Sequence, residues 1–413
     1  MDKLTRTALY YNPDLMIARA KLAVSRAGVI TARQIPNPTL NFTAVLGSAA
    51  TAGAFPPGAA PVTVGPVVNF LIETFGKRAE RTAQAQHLVE AARQDLATAT
   101  WQVRGRVRTA LLNLWAAQRR LALSRQQIVL RQQLVRLLEE RFAAGYAPAL
   151  DVTRERIALA QTGLGIQDLN RLEAEARVQL AAAIGVPVRA LDDVRLSVAA
   201  FDYPGTPNPG LATGALRRRA LSGRSDVQSS LAQYEATQSA LQLQIANQYP
   251  NLLLGPGYDY DFGTNKFILN PAVDLPIFNQ NQGPIAQATA NRREAAASFT
   301  ALQARIIGAI DAAVAAYRST ARTLGTADAL LADEQVRQRQ AKASFAAGEI
   351  DRPTLVTAEL EAAVIRSSRF DALVLQRQAL GALEDALQQP LFGAFMALSV
   401  PNADPRPATE PVP

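Results

Sequence analysis

Apolar side chains return every seven residues along the first half of the chain, at Leu114, Leu121, Ile128, Val135 and Phe142. That interval belongs to a helix that winds around neighbours in a left-handed supercoil. Displaced by 203 residues, the same positions are Tyr317, Leu324, Leu331, Gln338 and Phe345, four of them apolar. The displacement is clearest between RFAAGYAPALDV (141–152) and SFAAGEIDRPTL (344–355), so the chain carries an internal duplication. Upstream the offset grows to 212, because NPTL (37–40) pairs with YPNL (249–252) and Asp14 with Asp226. The nine extra residues fall in the first copy, in the Gly/Pro/Ala-rich tract 47–61, which reads as a long loop.

Proline is absent from Val67 to Ala147 and from Ile285 to Arg352, so nothing in either span forces a helix to break. The first copy, 1–186, is therefore expected to hold a helix, a β-hairpin at 38–72, a long helix at 76–144 and a return helix at 150–185. The second copy, 211–389, repeats this with a hairpin at 250–275, a long helix at 283–346 and a return helix at 354–389. At 1.5 Å per residue the long helices approach ~100 Å. Each ends on glycine followed by proline, Gly145 then Pro148 and Gly348 then Pro353, the signature of a helix terminus and turn. Irregular, proline-bounded sequence joins the copies at 187–210, and a proline-rich tail occupies 390–413.

Four segments between the helices have strand character: 38–47, 62–72, 250–262 and 266–275. Each is about ten residues, enough to cross a bilayer as a tilted strand. Apolar and polar residues alternate at Leu40, Phe42, Ala44 and Leu46, and again at Tyr258, Tyr260 and Phe262. Alternation alone suits two soluble hairpins. Two hairpins cannot bury both of their own faces, however, and four strands cannot close a membrane barrel, which needs about eight. Three chains together would supply twelve strands and would also cover the exposed helical seams. The fold class expected is mainly α with a small β part: long coiled-coil helices of an α-barrel and four strands per chain in a trimeric twelve-stranded β-barrel.

Composition narrows the chemistry. The net charge of +8 comes almost wholly from arginine, spread among carboxylates along the helices, with Arg217, Arg218 and Arg219 the longest cluster. Such a distribution argues against nucleic-acid binding. The chain has no cysteine and a single histidine, His87, which removes thiolate chemistry and leaves no plausible zinc set or serine–histidine pair. No phosphate-cradling glycine loop is present, because Gly255-Pro256-Gly257 opens no helix, and Met1, Met16 and Met396 form no thioether relay. The expectation is a protein with neither catalytic residues, metal site nor cofactor. No run of about 18 uninterrupted apolar residues marks a membrane helix. The opening MDKLTRTALYYNPDL lacks the apolar core of a secretory leader, which suits a cytosolic chain or one starting at a mature N-terminus.

From about Leu9 to Pro390 the chain resembles the TolC-type outer-membrane efflux family. The resemblance rests on NPDL (12–15) opening the first helix, TFGKRAER (74–81) where strand gives way to long helix, and the paired tips GYAPALDV (145–152) and GEIDRPTL (348–355). FGKR before an alanine-rich helix is similar to the CzcC/CusC-like heavy-metal branch. The resemblance implies an exit duct: an α-barrel in the periplasm beneath a β-barrel in outer-membrane lipid, formed by a homotrimer, passive, and served by a periplasmic adaptor protein and an inner-membrane pump of the RND type. It implies adaptor docking at the tips, at Gly145, Asp151 and Val152 of the first copy and Gly348, Thr354 and Leu355 of the second, although helix capping accounts for Asp151 and the glycines equally well. The family's pore-constricting tip aspartates are matched here by Thr354 and Thr357. A periplasmic gate would then draw on Thr357 and on Glu349, Asp351 and Glu359, three carboxylates that threefold symmetry repeats as a ring. The competing reading from another class is a soluble coiled-coil scaffold with surface hairpins.

Overall fold

The computed structural model describes residues 2–46, 62–192, 194, 196, 198, 201, 213–261 and 264–391. Two short helices open the chain, α1 (Asp2–Tyr11) and α2 (Pro13–Arg33). They are separated at Asn12, whose side chain accepts from the Asp14 N–H and donates to the Ala183 carbonyl, while Pro13 fixes the first helical φ. Strands β1 (Thr39–Leu46) and β2 (Val62–Ile72) lead into α3 (Lys77–Ala143) and the return helix α4 (Ala149–Ile184). After a 3₁₀ turn at Val188–Leu191 the order repeats: α5 (Thr213–Gly223), α6 (Ser225–Ala246), β3 (Leu252–Asp261), β4 (Thr264–Val273), α7 (Gln282–Ala346) and α8 (Arg352–Leu387). The expected opening helix of each copy is thus a pair, broken at Asn12 and at Arg224. The loop expected at 47–61, most of the linker at 187–210 and the tail from 392 onward lie outside the described residues.

The strands form one antiparallel sheet in the order β1-β2-β3-β4. The two hairpins therefore join through β2 and β3, a link between copies that local alternation does not encode.

The helices make a wall rather than a bundle. α3 is flanked on one side by α2 above and α4 below, and on the other by α6 above and α8 below; α7 packs beyond these on α6 and α8. Heptad residues Leu114, Leu121 and Val135 of α3 are buried, as are Tyr317 and Leu324 of α7. Trp115 packs between Phe201 and Phe370, with ring centroids 5.5 and 4.9 Å away. Trp101, two heptads earlier, is half-buried beneath the Arg104 guanidinium. His87 pairs with Glu235 of α6 at 3.1 Å.

A buried ionic knot ties the copies together. Arg108 of α3 donates to Glu384 at 2.7 Å, to Asp385 at 2.6 Å and to the Gly381 carbonyl at 2.8 Å, all on α8. Burial pushes the Asp385 carboxyl above its ordinary value despite the neighbouring arginine.

Two edges of the wall stay open. Leu150, Ile157, Leu164 and Val178 of α4, spaced by seven or fourteen residues, are 66, 55, 73 and 53% exposed. At the opposite edge, α7 contains a stretch of mean hydropathy 1.4, long and apolar enough by composition to cross a membrane although polar residues interrupt it. Only 22% of that stretch is buried.

Candidate functional site: sheet, junction and helical tips

Strand register sorts the side chains of the sheet. Leu40 lies opposite Val68, Phe42 opposite Pro66 and Ala44 opposite Val64. Val64 in turn faces Tyr260, Phe70 faces Leu254, Tyr258 faces Phe267 and Leu252 faces Val273. Since side chains alternate in a strand, all of these share one face. The face is apolar across four strands and exposed, with Phe42 at 72%, Leu46 at 81% and Phe267 at 90%. Among the described residues no helix packs across it. The Tyr258 ring meets Phe267 edge-on near the β3–β4 turn, and its hydroxyl reaches Asn265.

The opposite face carries Asn41, Thr63, Asn69, Asp259, Asp261, Lys266 and Asn270. Asp261 accepts from Thr63 at 2.7 Å and from Lys266 at 2.6 Å. Three glycines, Gly65, Gly255 and Gly257, lie on this side, where neighbouring backbone comes close: a Cβ at Gly65 would sit 2.3 Å from the Tyr258 carbonyl oxygen. Absent side chains let the strands approach closely on this side. The sheet is thus apolar on one face, while the other gathers its polar side chains and glycines among Val67, Leu253 and Ile268.

Below the sheet, FGKR forms the turn into α3. Phe75 and Gly76 both adopt positive φ, +53° and +73°. The turn is pinned to the second copy: Phe75 stacks on Tyr249 at 4.2 Å, and Thr74 donates to the Pro250 carbonyl at 2.5 Å. Lys77 is buried and donates to the Tyr249 carbonyl and the Asn251 side chain, both at 2.6 Å. Arg81 forks onto Glu73 at 2.7 and 3.0 Å and holds the Ala32 carbonyl at the end of α2.

At the far end of the wall the tip turns are built alike. Gly145 and Gly348 have φ of +79° and +78°, and the residue after each donates back to a helical carbonyl, Tyr146 to Arg141 and Glu349 to Ser344. Asp351 caps α8, accepting from the Thr354 N–H at 2.9 Å and from its hydroxyl at 2.5 Å. Across the gap between hairpins Arg141 donates to Asp351, again at 2.5 Å. These donors, Thr354 first, hold the Asp351 carboxyl below its ordinary value.

Asp151, Thr354 and Thr357 line one groove of about 650 Å³ between the hairpins, together with Leu138, Arg337 and Ile350. Gly145, Gly348 and Glu349 are exposed at the turns beside it. Val152 and Leu355 are buried, so they pack the hairpins and present no outward surface. Thr357 bonds its own helix at the Pro353 carbonyl, and Glu359 pairs with Lys342 at 3.8 Å. Of the three candidate gate carboxylates only Glu349 has no ion pair among the described residues. Arg141 and Lys77 escaped sequence reading because their partners are 210 and 172 residues distant. The α4 seam was visible in principle, since Leu150, Ile157 and Leu164 repeat at seven.

Among the described residues no group of three His, Cys, Asp or Glu could hold a metal ion.

Comparison with known proteins bears on all three regions. Residues 4–186 match the family model for outer membrane efflux protein. The chain is 26% identical over 279 residues to the cobalt-zinc-cadmium resistance protein CzcC of Cupriavidus metallidurans, a match covering 67% of this chain and 63% of that protein. It is 26% identical over 303 residues to the pyoverdine export outer membrane protein OpmQ of Pseudomonas aeruginosa, covering 68% and 62%. The matched region thus spans less than two thirds of either relative. The outer membrane protein VceC of Vibrio cholerae shares the fold, with a TM-score of 0.74 over 95% of this chain and 96% of that one, at 17% identity. The family match is thus confined to residues 4–186, whereas the architecture shared with VceC extends over nearly the whole chain.

Proposed function

We propose that the chain is one third of a passive exit duct: a homotrimer whose sheets close into a twelve-stranded barrel in the outer membrane and whose helical walls close into a periplasmic α-barrel. The observation that supports this most directly is the sheet, apolar and uncovered on one face and polar on the other across all four strands. Water is a poor solvent for the first face and lipid for the second; a closed barrel in a bilayer accommodates both. The open edges of the wall give the trimer its seam, the exposed apolar heptads of α4 and α2 on one side and the alanine-rich surface of α7 on the other.

Substrate would enter at the tips. A periplasmic adaptor docks there on the turns at Gly145 and Gly348 and in the groove lined by Asp151 and Thr354, with Val152 and Leu355 supporting those surfaces from within. Glu349, Asp351, Thr357 and Glu359 form the periplasmic gate, Glu349 contributing the unpaired charge. An inner-membrane pump of the RND type supplies the energy. The two curated relatives carry names for different cargoes, metal ions and pyoverdine, at equal identity. A duct without a ligand set suits either, so selection of cargo, including any tie to the heavy-metal branch, rests with the pump.

Imaging of detergent-purified particles tests the reading: a hollow threefold cylinder is expected, and a water-soluble monomer overturns it. For the tips, Gly348→Val places a β-branched residue at positive φ and should impair efflux with trimers intact. Unchanged efflux would count against docking there.

A further inference from the structure

The junction between sheet and helices contains a pocket that the duct does not use. It has a volume of about 610 Å³ and an apolar collar of Ile35, Pro36, Leu71 and Ile72. Lys77 and Arg78 form its cationic floor. Ile35 is 67% exposed and Ile72 43%, although both adjoin a well-packed turn.

The charge at this place is not balanced. Glu73 is taken by both arms of Arg81, so that pair cancels. Lys77 has only neutral acceptors, the Tyr249 carbonyl and the Asn251 side chain. Arg78 is exposed, and no hydrogen bond or ion pair engages it among the described residues. Glu73 also attracts both cations through space, but one carboxylate against Lys77, Arg78 and Arg81 leaves this junction beside the apolar collar net positive among the described residues.

Position supplies the rest. Ile72 ends the apolar face of the sheet, opposite Leu252, and Glu73 to Arg78 follow at once. If the sheet crosses a bilayer, this is the level at which hydrocarbon gives way to headgroups on the helical side. A molecule suited to the pocket has an apolar tail, a compact anionic head, and a supply at that depth.

We infer that the pocket holds an anionic glycerophospholipid of the periplasm-facing leaflet, its phosphate against Arg78 under the field of Lys77 and its first acyl carbons against Ile35 and Ile72. The inference rests on the duct reading, since it needs the sheet to sit in a membrane. It assigns to part of the FGKR segment a lipid-anchoring role distinct from its turn geometry.

Native mass spectrometry of the full chain in detergent tests it, with phosphatidylglycerol, phosphatidylcholine and inorganic phosphate as probes. Saturable binding of one phosphatidylglycerol per chain is expected, weakened about tenfold in Arg78→Glu, as expected for reversing one arginine near a lipid headgroup. Phosphatidylcholine should bind more weakly, and phosphate should neither bind nor compete. Ile35→Ser should weaken lipid binding without altering charge, which keeps the test valid if Arg78→Glu assembles poorly. Arg218→Glu, an exposed cation on α5, should bind as wild type. Wild-type affinity in both Arg78→Glu and Ile35→Ser overturns the site, as does competition by free phosphate or an equal loss in Arg218→Glu. A membrane-inserted trimer that gives any of those results overturns the lipid site alone; a chain that never enters bilayers overturns the duct along with it.

Discussion

Arg141, in the last turn of α3, donates to the Asp351 carboxylate that caps α8, joining the first helical hairpin to the second at their tips. Both side chains are nearly half exposed, at 43 and 46%, so the pair adds little to global stability, within about 1 kcal/mol. Its consequence is local. Without it the two hairpins keep the apolar packing of Leu134, Val356 and Leu360 and lose their outermost tie. Arg141→Ala should leave the melting temperature almost unchanged while amide exchange at 345–352 accelerates several-fold. In planar bilayers its conductance should exceed that of wild type, and equal conductance would show that the tie does not restrain the entrance.

The same pair has a defined pH response. The Asp351 carboxyl is held below the ordinary aspartate value of 3.8 by Thr354 and, more weakly, by Arg141. A depressed carboxylate contributes stability that is present above the unfolded value and lost as pH falls through the folded one. The difference in exchange between wild type and Arg141→Ala should therefore persist from neutral pH down to about 4, and vanish only in stronger acid. Disappearance near pH 6 would mean that another group controls the tip.

The exposed seam of α4 leads to a prediction about assembly. Leu150, Ile157 and Leu164 occupy one stripe that the described residues leave exposed. Burying each against a neighbouring copy is worth ~1.5–3 kcal/mol. The triple replacement Leu150→Gln, Ile157→Gln, Leu164→Gln should dissociate trimers into monomers without loss of helical circular dichroism. Persistent trimers would place the interface elsewhere.

Much of this architecture was legible in the sequence because its signals are local and repeated. The proline-free spans 67–147 and 285–352 contain α3 and all but the first turn of α7, and Gly145 and Gly348 marked turns that do adopt positive φ. Alternation at Leu40, Phe42, Ala44 and Leu46 named the exposed apolar face correctly. What escaped was pairing at a distance. Nothing local states that β2 lies against β3, that Lys77 serves Tyr249, or that Arg141 meets Asp351, since each depends on how one copy sits on the other. Burial at the tips was hidden for the same reason: Val152 and Leu355 lie just beyond turns and look exposed until the hairpins are packed together.

The knot around Arg108 makes the union of the two copies testable. Arg108→Met removes the nearer of the two cations that face Glu384, a carboxylate only 8% exposed that Arg104 reaches at 3.5 Å, and leaves the Gly381 carbonyl without its donor. Breaking a buried pair from one side typically costs ~3–5 kcal/mol. The double variant Arg108→Met, Glu384→Gln should recover part of that loss, because the more deeply buried of Arg108's two carboxylate partners is then neutral while Asp385 stays charged. Denaturant midpoints for the two singles and the double would check it, and simple additivity would show that the pair is not coupled.

Gly65 offers the sharpest test of how the sheet is built. Its φ is unremarkable, so the demand is spatial: a Cβ there would lie 2.3 Å from the Tyr258 carbonyl oxygen and 2.8 Å from an Asp259 carboxylate oxygen. The carboxylate is the end of a side chain and can swing away, whereas the carbonyl belongs to the paired strand and cannot move without opening the β2–β3 ladder. Gly65→Ala should therefore separate the hairpins at the one place where the copies join as strands, and Gly65→Val more so. Since α3 and α6 pack independently of the sheet, both variants should keep their helical signal while failing to insert into vesicles as heat-stable oligomers. By contrast Gly28→Ala, at a helical position with open space around it, should assemble normally. Normal insertion of Gly65→Val would mean that β2 and β3 do not approach this closely in the barrel, and the polar face would have to be built another way.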